Sequence, residues 1–385
     1  MQKRAVLKHA HQTLQAKIFR RLGVVFSYPR SVTEKNRSEH RPSALLLLFV
    51  LFLSAWLSGC SRAIDHDFKD YQQRLGRLLD EPVTTVELPA NPRMPRVHEV
   101  QQPIPEISIS LLDSMRLDRC RVGQLIAARN SSLGRVQSTQ ARVLYEIQMI
   151  TALQECLQTS AADDARLAEL LTTALEHKVD TLPLWINRFL TNEDVIRERF
   201  RVSRSPLTLE ASEEGSASIA ALTYFADVFT ALHDDPLHYT VDESAWNDHI
   251  RTLGQRHFLS DFWRTQQVTL GYLKSLNLML SDAGDKIGCR NRSVPQQAEF
   301  LQNVMINIWV SSLQPKLARL QGYETQVYGQ LVRLQEFVLD EAWNNYLDQL
   351  MNEESHGVGI RQHSRRHAEL YQAFLQQCGL SIEGN

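Results

Sequence analysis

The sequence predicts an all-α protein: a multi-helix bundle of antiparallel helices preceded by an extended, proline-rich N-terminal strap. Three observations carry this. From residue 320, Leu320, Tyr323, Val327, Leu331, Leu334, Val338, Ala342 and Tyr346 advance by 3, 4, 4, 3, 4, 4 and 4, the stripe of one long amphipathic helix. Proline is unevenly spread, with six of 13 inside 82–105 and five in the 280 residues that follow. Apolar/polar alternation never extends over six residues except weakly at 104–110. At 385 residues, 43% hydrophobic and 22% charged, the chain can bury a sizeable core. Disorder throughout, collagen-like repeats and low complexity are excluded.

Residues 1–43 hold ten Lys/Arg against Glu34 and Glu39, and residues 44–59 hold no charge. The run Ala44–Leu57 is apolar except for Ser54. As a helix it would reach about 21 Å, short of the roughly 30 Å hydrocarbon core, which is the length of a signal-peptide h-region. Leu57-Ser58-Gly59-Cys60 at its end resembles the bacterial lipobox. That resemblance implies cleavage before Cys60 and acylation of the new terminus, so that several acyl chains hold the protein on a bilayer. By the same resemblance, Ser61 after the cysteine, where Asp would imply retention, favours the periplasmic face of the outer membrane. The charged stretch is long for an n-region, and no methionine lies between Met1 and Met94. A non-methionine start, such as Val32, would shorten it. The expected division is 1–59 signal peptide, 60–105 anchor, short helix and strap, and 106–385 helical domain.

The remainder carries 32 basic and 42 acidic residues, a net of −10. Such a body argues against nucleic-acid binding, which needs excess Lys/Arg at the phosphates. A short helix is expected at about 62–80. Between 82 and 105, proline fixes φ and removes donors, so the chain should be extended across the domain or act as a spacer. In 141–157, Val143, Leu144, Ile147, Ile150, Leu153 and Leu157 share a face. Further helices are expected at about 110–130, 163–178, 184–200, 215–232, 243–254, 256–281, 296–312 and 360–378. The long helix from 320 has Gly322 and Gly329 one heptad apart, where a neighbour could approach. Breaks are expected at Asn130-Ser131-Ser132, Asp234-Asp235-Pro236, Asp282-Ala283-Gly284-Asp285 and Gly357-Val358-Gly359. Gly379 stands where a left-handed residue ends a helix.

Besides Cys60 the cysteines are Cys120, Cys156, Cys289 and Cys378. An even number in an exported chain suggests two disulfides, with three pairings open and four buried free thiols as the competing reading. Cys120 and Cys156 lie about equally far from a loop near 138, so an antiparallel hairpin would bring them level and leave Cys289 for Cys378. Zinc is disfavoured, since no Cys-x-x-Cys or clustered histidine accompanies them. His363 and His367 are spaced i,i+4, but Arg365 and Arg366 would repel a cation, and a solvated face is the simpler reading. His233, His238, His249 and His257 form no motif. Arg197, Arg199, Arg201 and Arg204, around Phe200, could suit a phosphate or anionic lipid, although such runs are more often solvated helix ends. Asp282 and Asp285 lack the ligand ladder of a calcium loop. Trp263, Trp309 and Trp343 fall in apolar stripes and read as core. Nucleophile-elbow, S-x-x-K, H-E-x-x-H, Walker A and dinucleotide motifs are absent. No catalytic residue, metal site or cofactor is therefore assigned.

At 111–157 the run LLDSMRLDRCRVGQLIAARNSSLGRV, followed by VLYEIQMITALQECL, is similar to the proteobacterial lipoproteins grouped as domain of unknown function 3080. In that family a lipobox precedes a cysteine-bearing helix, an R-N-S-x-L-G turn and a second cysteine. Here these match Cys60, Cys120, Arg129-Asn130-Ser131-Ser132-Leu133-Gly134 and Cys156, and the similarity extends to Gln377-Cys378-Gly379-Leu380. The resemblance implies a lipoprotein and supplies no catalytic residue. The expectation is a non-enzymatic envelope protein, held to the membrane through Cys60 and binding an envelope protein or other component through its helical surface. The alternative is a periplasmic enzyme or small-ligand binder with a site assembled between helices. A deep pocket with convergent charged groups would favour the alternative, and a flat or grooved apolar surface would favour the first.

Overall fold

The computed structural model describes residues 62–108, 116–132, 134–159, 163–210, 213, 215–289, 294–352 and 357–381. Cys60, the expected signal peptide at 1–59 and Leu133 lie outside them. Among the described residues, which all belong to one unit spanning Ser61–Asn385, helix dominates and no strand occurs.

Helix α1 (Ile64–Leu79) buries Ile64, Phe68, Tyr71, Leu75 and Leu79 along a single 3–4 stripe, with Asp65 and Asp67 favourably placed in its first turn. The strap follows, irregular apart from the single turn α2 (Val97–Val100). Its carbonyls have no ladder to join, and side chains of the bundle satisfy them instead. Gln72 Nε2 donates to Thr84 O at 3.2 Å, Arg197 to Pro95 O at 2.5 Å, Arg188 to Gln102 O and His177 Nε2 to Pro105 O at 3.2 Å. Gln267 adds a bond to the Asn91 side chain at 2.9 Å. The expected strap is thus present and fastened at five points.

Helices α3 (Arg121–Asn130), α4 (Thr139–Leu157) and α5 (Ala165–Asn192) come next. Two helices, 163–178 and 184–200, were expected here, divided near Pro183. The structure instead runs α5 straight through Pro183 and starts α6 (Asp194–Phe200) after Glu193. Burial of Leu182, Trp185, Ile186 and Phe189 around the proline outweighs the lost donor, as tertiary packing overrides propensity. Helix α4 is buried on two faces. Val143, Leu144, Ile147 and Ile150 join the main core, whereas Met149, Ala152, Leu153 and Cys156 join a second core with Leu117, Val122, Leu167 and Leu171. The Cys120–Cys156 disulfide ties α3 to the far end of α4 within that second core.

The main body comprises α7 (Ser216–Asp234), α8 (Glu243–Gln255), α9 (Phe258–Leu280) and α10 (Ala283–Ile287). Then come α11 (Gln296–Val304), a π-helical stretch Met305–Leu313, α12 (Gln314–Gln335), α13 (Glu341–Met351) and α14 (Gly357–Cys378). Helix α9 is buried on nearly every side and forms the centre. The single helix expected from 320 to 346 is broken at 336–340. Asp340 accepts from Trp343 N at 2.9 Å and starts α13, while Leu339 N leaves the helix for Asn187 Oδ1 at 2.8 Å. Val338 stays buried across the break, so the apolar spacing does not reveal it. Gly322 and Gly329 face open space rather than a neighbour. Gly357 is no break either. It opens α14 against the Glu324 carboxylate, so close that a Cβ would collide with it, and Arg361 pairs with that carboxylate at 2.7 Å.

The reading of His363 and His367 as a solvated face is also corrected. His367 is fully buried, hydrogen-bonded to Tyr71 Oη at 2.9 Å and Asn277 Oδ1 at 2.8 Å, with Trp309 4.1 Å away, ring to ring. Tyr71 Oη also bonds Tyr371 Oη at 2.7 Å. This network joins α1, α9 and α14. Burial pushes the His367 imidazole down to about 3. Between that value and the unfolded value near 6.5, the unfolded state holds a proton that the native state refuses, so acidification destabilises. Unfolding free energy should therefore fall by up to about 1.4 kcal/mol per pH unit below pH 6 on account of this group. Comparison of denaturant midpoints for wild type and His367→Asn should show a shallower acid slope in the variant.

The Cys289–Cys378 disulfide joins the end of α14 to the residue following α10's cap. Each of the two links should stabilise the fold by about 3–5 kcal/mol on the loop-entropy model. Because the Tyr71–His367–Asn277 contacts hold the middle of α14, Cys378→Ser should raise amide exchange chiefly at 376–380. Cys120→Ser should lower the global unfolding midpoint, and mass-resolved exchange with thermal melts checks both.

Candidate functional site

Between α3, α4 and α5 the surface opens into a cleft of about 400 Å³, within the usual range for small-molecule sites. Each helix contributes one stripe. On α4 the residues are Arg142, Tyr145, Met149 and Leu153, and on α5 they are Leu170, Ala174, Lys178, Thr181 and Trp185, all at 3–4 spacing and therefore on one face. Both stripes change character along their length. The end near the disulfide is apolar, with Val122 and Ile126 of α3 completing it, whereas the end near the main body is charged and aromatic.

Glu146 organises the charged end. Its side chain has no exposure, and it is paired with Arg142 Nη2 at 2.7 Å and Lys178 Nζ at 2.7 Å, both cations only 14% exposed. These are close ion pairs whose angles fall short of hydrogen bonds, since neither carboxylate oxygen meets a donor in good alignment. The Arg142 guanidinium also lies over Tyr145 at 5.0 Å and Trp185 at 4.7 Å, and Arg188 lies over Trp185 at 5.0 Å. Such cation–π contacts hold flat cations in place without neutralising them. Burial and the Glu146 charge push the Tyr145 phenol up to about 12 against the pull of Arg142, so it stays protonated at neutral pH. Burial and Arg142 draw the Arg188 guanidinium down, with Glu106 opposing.

Arg129, from the last turn of α3, reaches the same cleft. The R-N-S-S-L-G turn fixes its position. Arg129 Nη1 donates to Gly134 O at 2.6 Å, Ser131 Oγ donates to Ala128 O at 2.7 Å, and Gly134 N donates to Ser131 Oγ at 3.0 Å. A Cβ on Gly134 would stand 2.2 Å from Ala128 O, so only glycine allows this closure. The turn seen in the sequence therefore shapes one wall of the cleft.

The four arginines of 197–204 are not gathered into one site. Arg199 is buried and donates to His257 Nδ1 at 2.5 Å. Arg197 is spent on Thr191 O at 2.7 Å and on the strap, and lies over Trp343 at 5.1 Å. Arg201 and Arg204 are exposed. Trp263, Trp309 and Trp343 are core residues, and Cys120, Cys156, Cys289 and Cys378 form the two disulfides. No group of His, Cys, Asp or Glu suited to a metal ion occurs among the described residues, and none of their helices is long and apolar enough to cross a membrane. Arg142, Glu146, Lys178 and Trp185 were not singled out from sequence. Their signal was a charged residue at a stripe position, Lys178 between Ala174 and Thr181, where apolar periodicity calls for Leu or Ile.

Fold and cleft together define a class of protein: a disulfide-braced helical bundle with a half-apolar, cation-lined site between three helices. Within that class the chain belongs to the proteins of unknown function grouped as DUF3080, whose family model matches residues 68–382. The resemblance drawn from the Cys120, R-N-S-S-L-G and Cys156 text is borne out by this match. No curated protein and no solved structure matches the chain.

Removing one partner from a buried ion pair leaves an uncompensated charge, whereas removing both is nearly neutral. Glu146→Leu should accordingly lower unfolding free energy by about 3 kcal/mol, because Arg142 and Lys178 both lose their counter-charge. Adding Arg142→Met and Lys178→Met should restore most of that loss, which denaturant titrations of the single and triple variants would read.

Proposed function

We propose that this protein is a lipid-anchored component of the bacterial cell envelope, held by Cys60 at the periplasmic face of the outer membrane, that acts by binding a small ligand in the α3–α4–α5 cleft. One observation carries the binding reading: a half-apolar cleft of about 400 Å³ ends in a cluster of cations and aromatic rings organised by one buried carboxylate. Concave, mostly apolar sites with a few convergent polar groups are where proteins hold small molecules. The chemistry of the lining supports binding rather than turnover. Lys178 is engaged as an ion-pair partner of Glu146, and burial with the neighbouring Glu146 charge holds Tyr145 protonated, so neither is poised as a nucleophile or base. Anchorage is supported by the lipobox in register with the apolar run that precedes it.

Two measurements test this. Cys60→Ala should abolish labelling by a palmitate analogue and leave unprocessed precursor, and unchanged labelling overturns the anchor. Native mass spectrometry of the lipoprotein released gently from membranes should show a bound small molecule. Ala174→Trp, which fills the cleft, should lose it. Absence of any such mass, or its persistence in the folded variant, overturns the cleft as the binding site.

A further inference from the structure

We propose that the cleft binds an amphipathic anion, a single apolar chain carrying one carboxylate or phosphate head; this rests on the cleft being the binding site. The two halves of the lining argue for two halves of a ligand. Met149, Leu153, Leu170 and Leu171 line the apolar end; all but Leu170 are already buried against one another, so a hydrocarbon chain gains there chiefly through close contact. The other end carries surplus positive charge. Arg129, Arg142, Lys178 and the adjoining Arg188 stand against Glu146 and Glu106, a local excess of +2 in a mature chain whose net charge is −10.

Three guanidinium nitrogens nearby, the Nε atoms of Arg129, Arg142 and Arg188, are buried without a hydrogen-bond acceptor among the described residues. These atoms have no surface open to the cleft, so it is the charge of Arg129, Arg142 and Lys178 in the lining that favours an anion there. The planar guanidinium fork fits carboxylate and phosphate alike. Tyr145 stands between Arg142 and Met149 along α4, apolar in body and polar at one edge, as such rings do where a chain meets its head group. An uncharged amphiphile would leave the surplus cations unmatched, and a bare inorganic anion would make no contact at the apolar end.

The test uses the acylated protein in phosphatidylcholine nanodiscs and three twelve-carbon probes bearing a diazirine on the chain: a carboxylate, a phosphate monoester and an alcohol. Crosslinked peptides are mapped by mass spectrometry. Both anionic probes should label α4 and α5 within 142–157 and 165–185, and the alcohol should label them at least tenfold less. Stronger labelling by the phosphate would point to a phospholipid-derived ligand, and stronger labelling by the carboxylate to a free fatty acid; either supports the proposal. Lys178→Gln should cut labelling about tenfold, the loss of one charge-assisted contact, and Ala174→Trp should abolish it. Arg74→Gln, outside the cleft, should leave it unchanged, and circular dichroism confirms that each variant is folded. Equal labelling by the alcohol, indifference to Lys178→Gln, full displacement by inorganic phosphate, or no labels in these peptides would each overturn the assignment. If native mass spectrometry finds an uncharged ligand in the cleft, only the ligand class falls. If it finds none, the binding reading falls with it.

Discussion

A carboxylate with no access to water, Glu146, is the constraint around which the α4–α5 pair is arranged. Taking a charge out of water costs several kcal/mol, and the structure tolerates it only because Arg142 and Lys178 each approach within 2.7 Å. One cation comes from the same helix a turn away, and the other comes from α5. The ion pairs therefore fix the register of α4 against α5. That register places one apolar stripe of α4 in the main core and the opposite stripe in the second core under the disulfide. The cleft lies where the two cores meet at this charged junction.

The strap shows the same logic with neutral groups. An extended proline-rich segment exposes carbonyls that no neighbouring strand can bond. Arg188 and Arg197 answer two of them from α5 and α6, and by doing so are held in place. Arg188 thus serves twice, fastening Gln102 and standing over Trp185 at the charged end of the cleft. The strap is thereby an outer wall for the site, and Pro105 and Glu106 line it.

Much of this was legible in the sequence, and the failures have specific causes. Helix content, the strap and both disulfides follow from periodicity, proline placement and a hairpin argument that needs only two helices of similar length. Pro183 misled because propensity says nothing of the four apolar neighbours that hold α5 together. The break at 336–340 was hidden because Val338 and Trp343 remain buried on both sides of it. His367 was misjudged from Arg365 and Arg366, which flank it in sequence, yet the buried face of α14 passes through His367, Tyr371 and Phe374. Residues adjacent in sequence lie far apart around a helix, so their charge is poor evidence about a side chain's surroundings. The cleft escaped notice for a related reason. A site assembled from single residues on three helices leaves no local motif, and only the Arg129 turn gave a readable trace.

The long helix across α11, the π stretch and α12 shows why spacing can mislead about shape as well as extent. Its buried positions run Leu301, Met305, Trp309, Leu313 and Leu317, four consecutive steps of four. In an ideal α-helix with 3.6 residues per turn, each such step drifts about 40° in one direction. Four steps would carry the stripe most of the way to the opposite side, and Trp309 could not face His367 while Leu317 faced the same core. The π stretch Met305–Leu313 winds more loosely, through its i→i+5 bonding, and turns the stripe back. The local winding is therefore dictated by the apolar spacing, which demands a helix with about four residues per turn over this segment. Trp309 then packs on His367 at 4.1 Å and closes the aromatic side of the buried network. A sequence stripe with successive steps of four should accordingly be read as a demand on helical winding, and here the demand is met where α1, α9 and α14 converge.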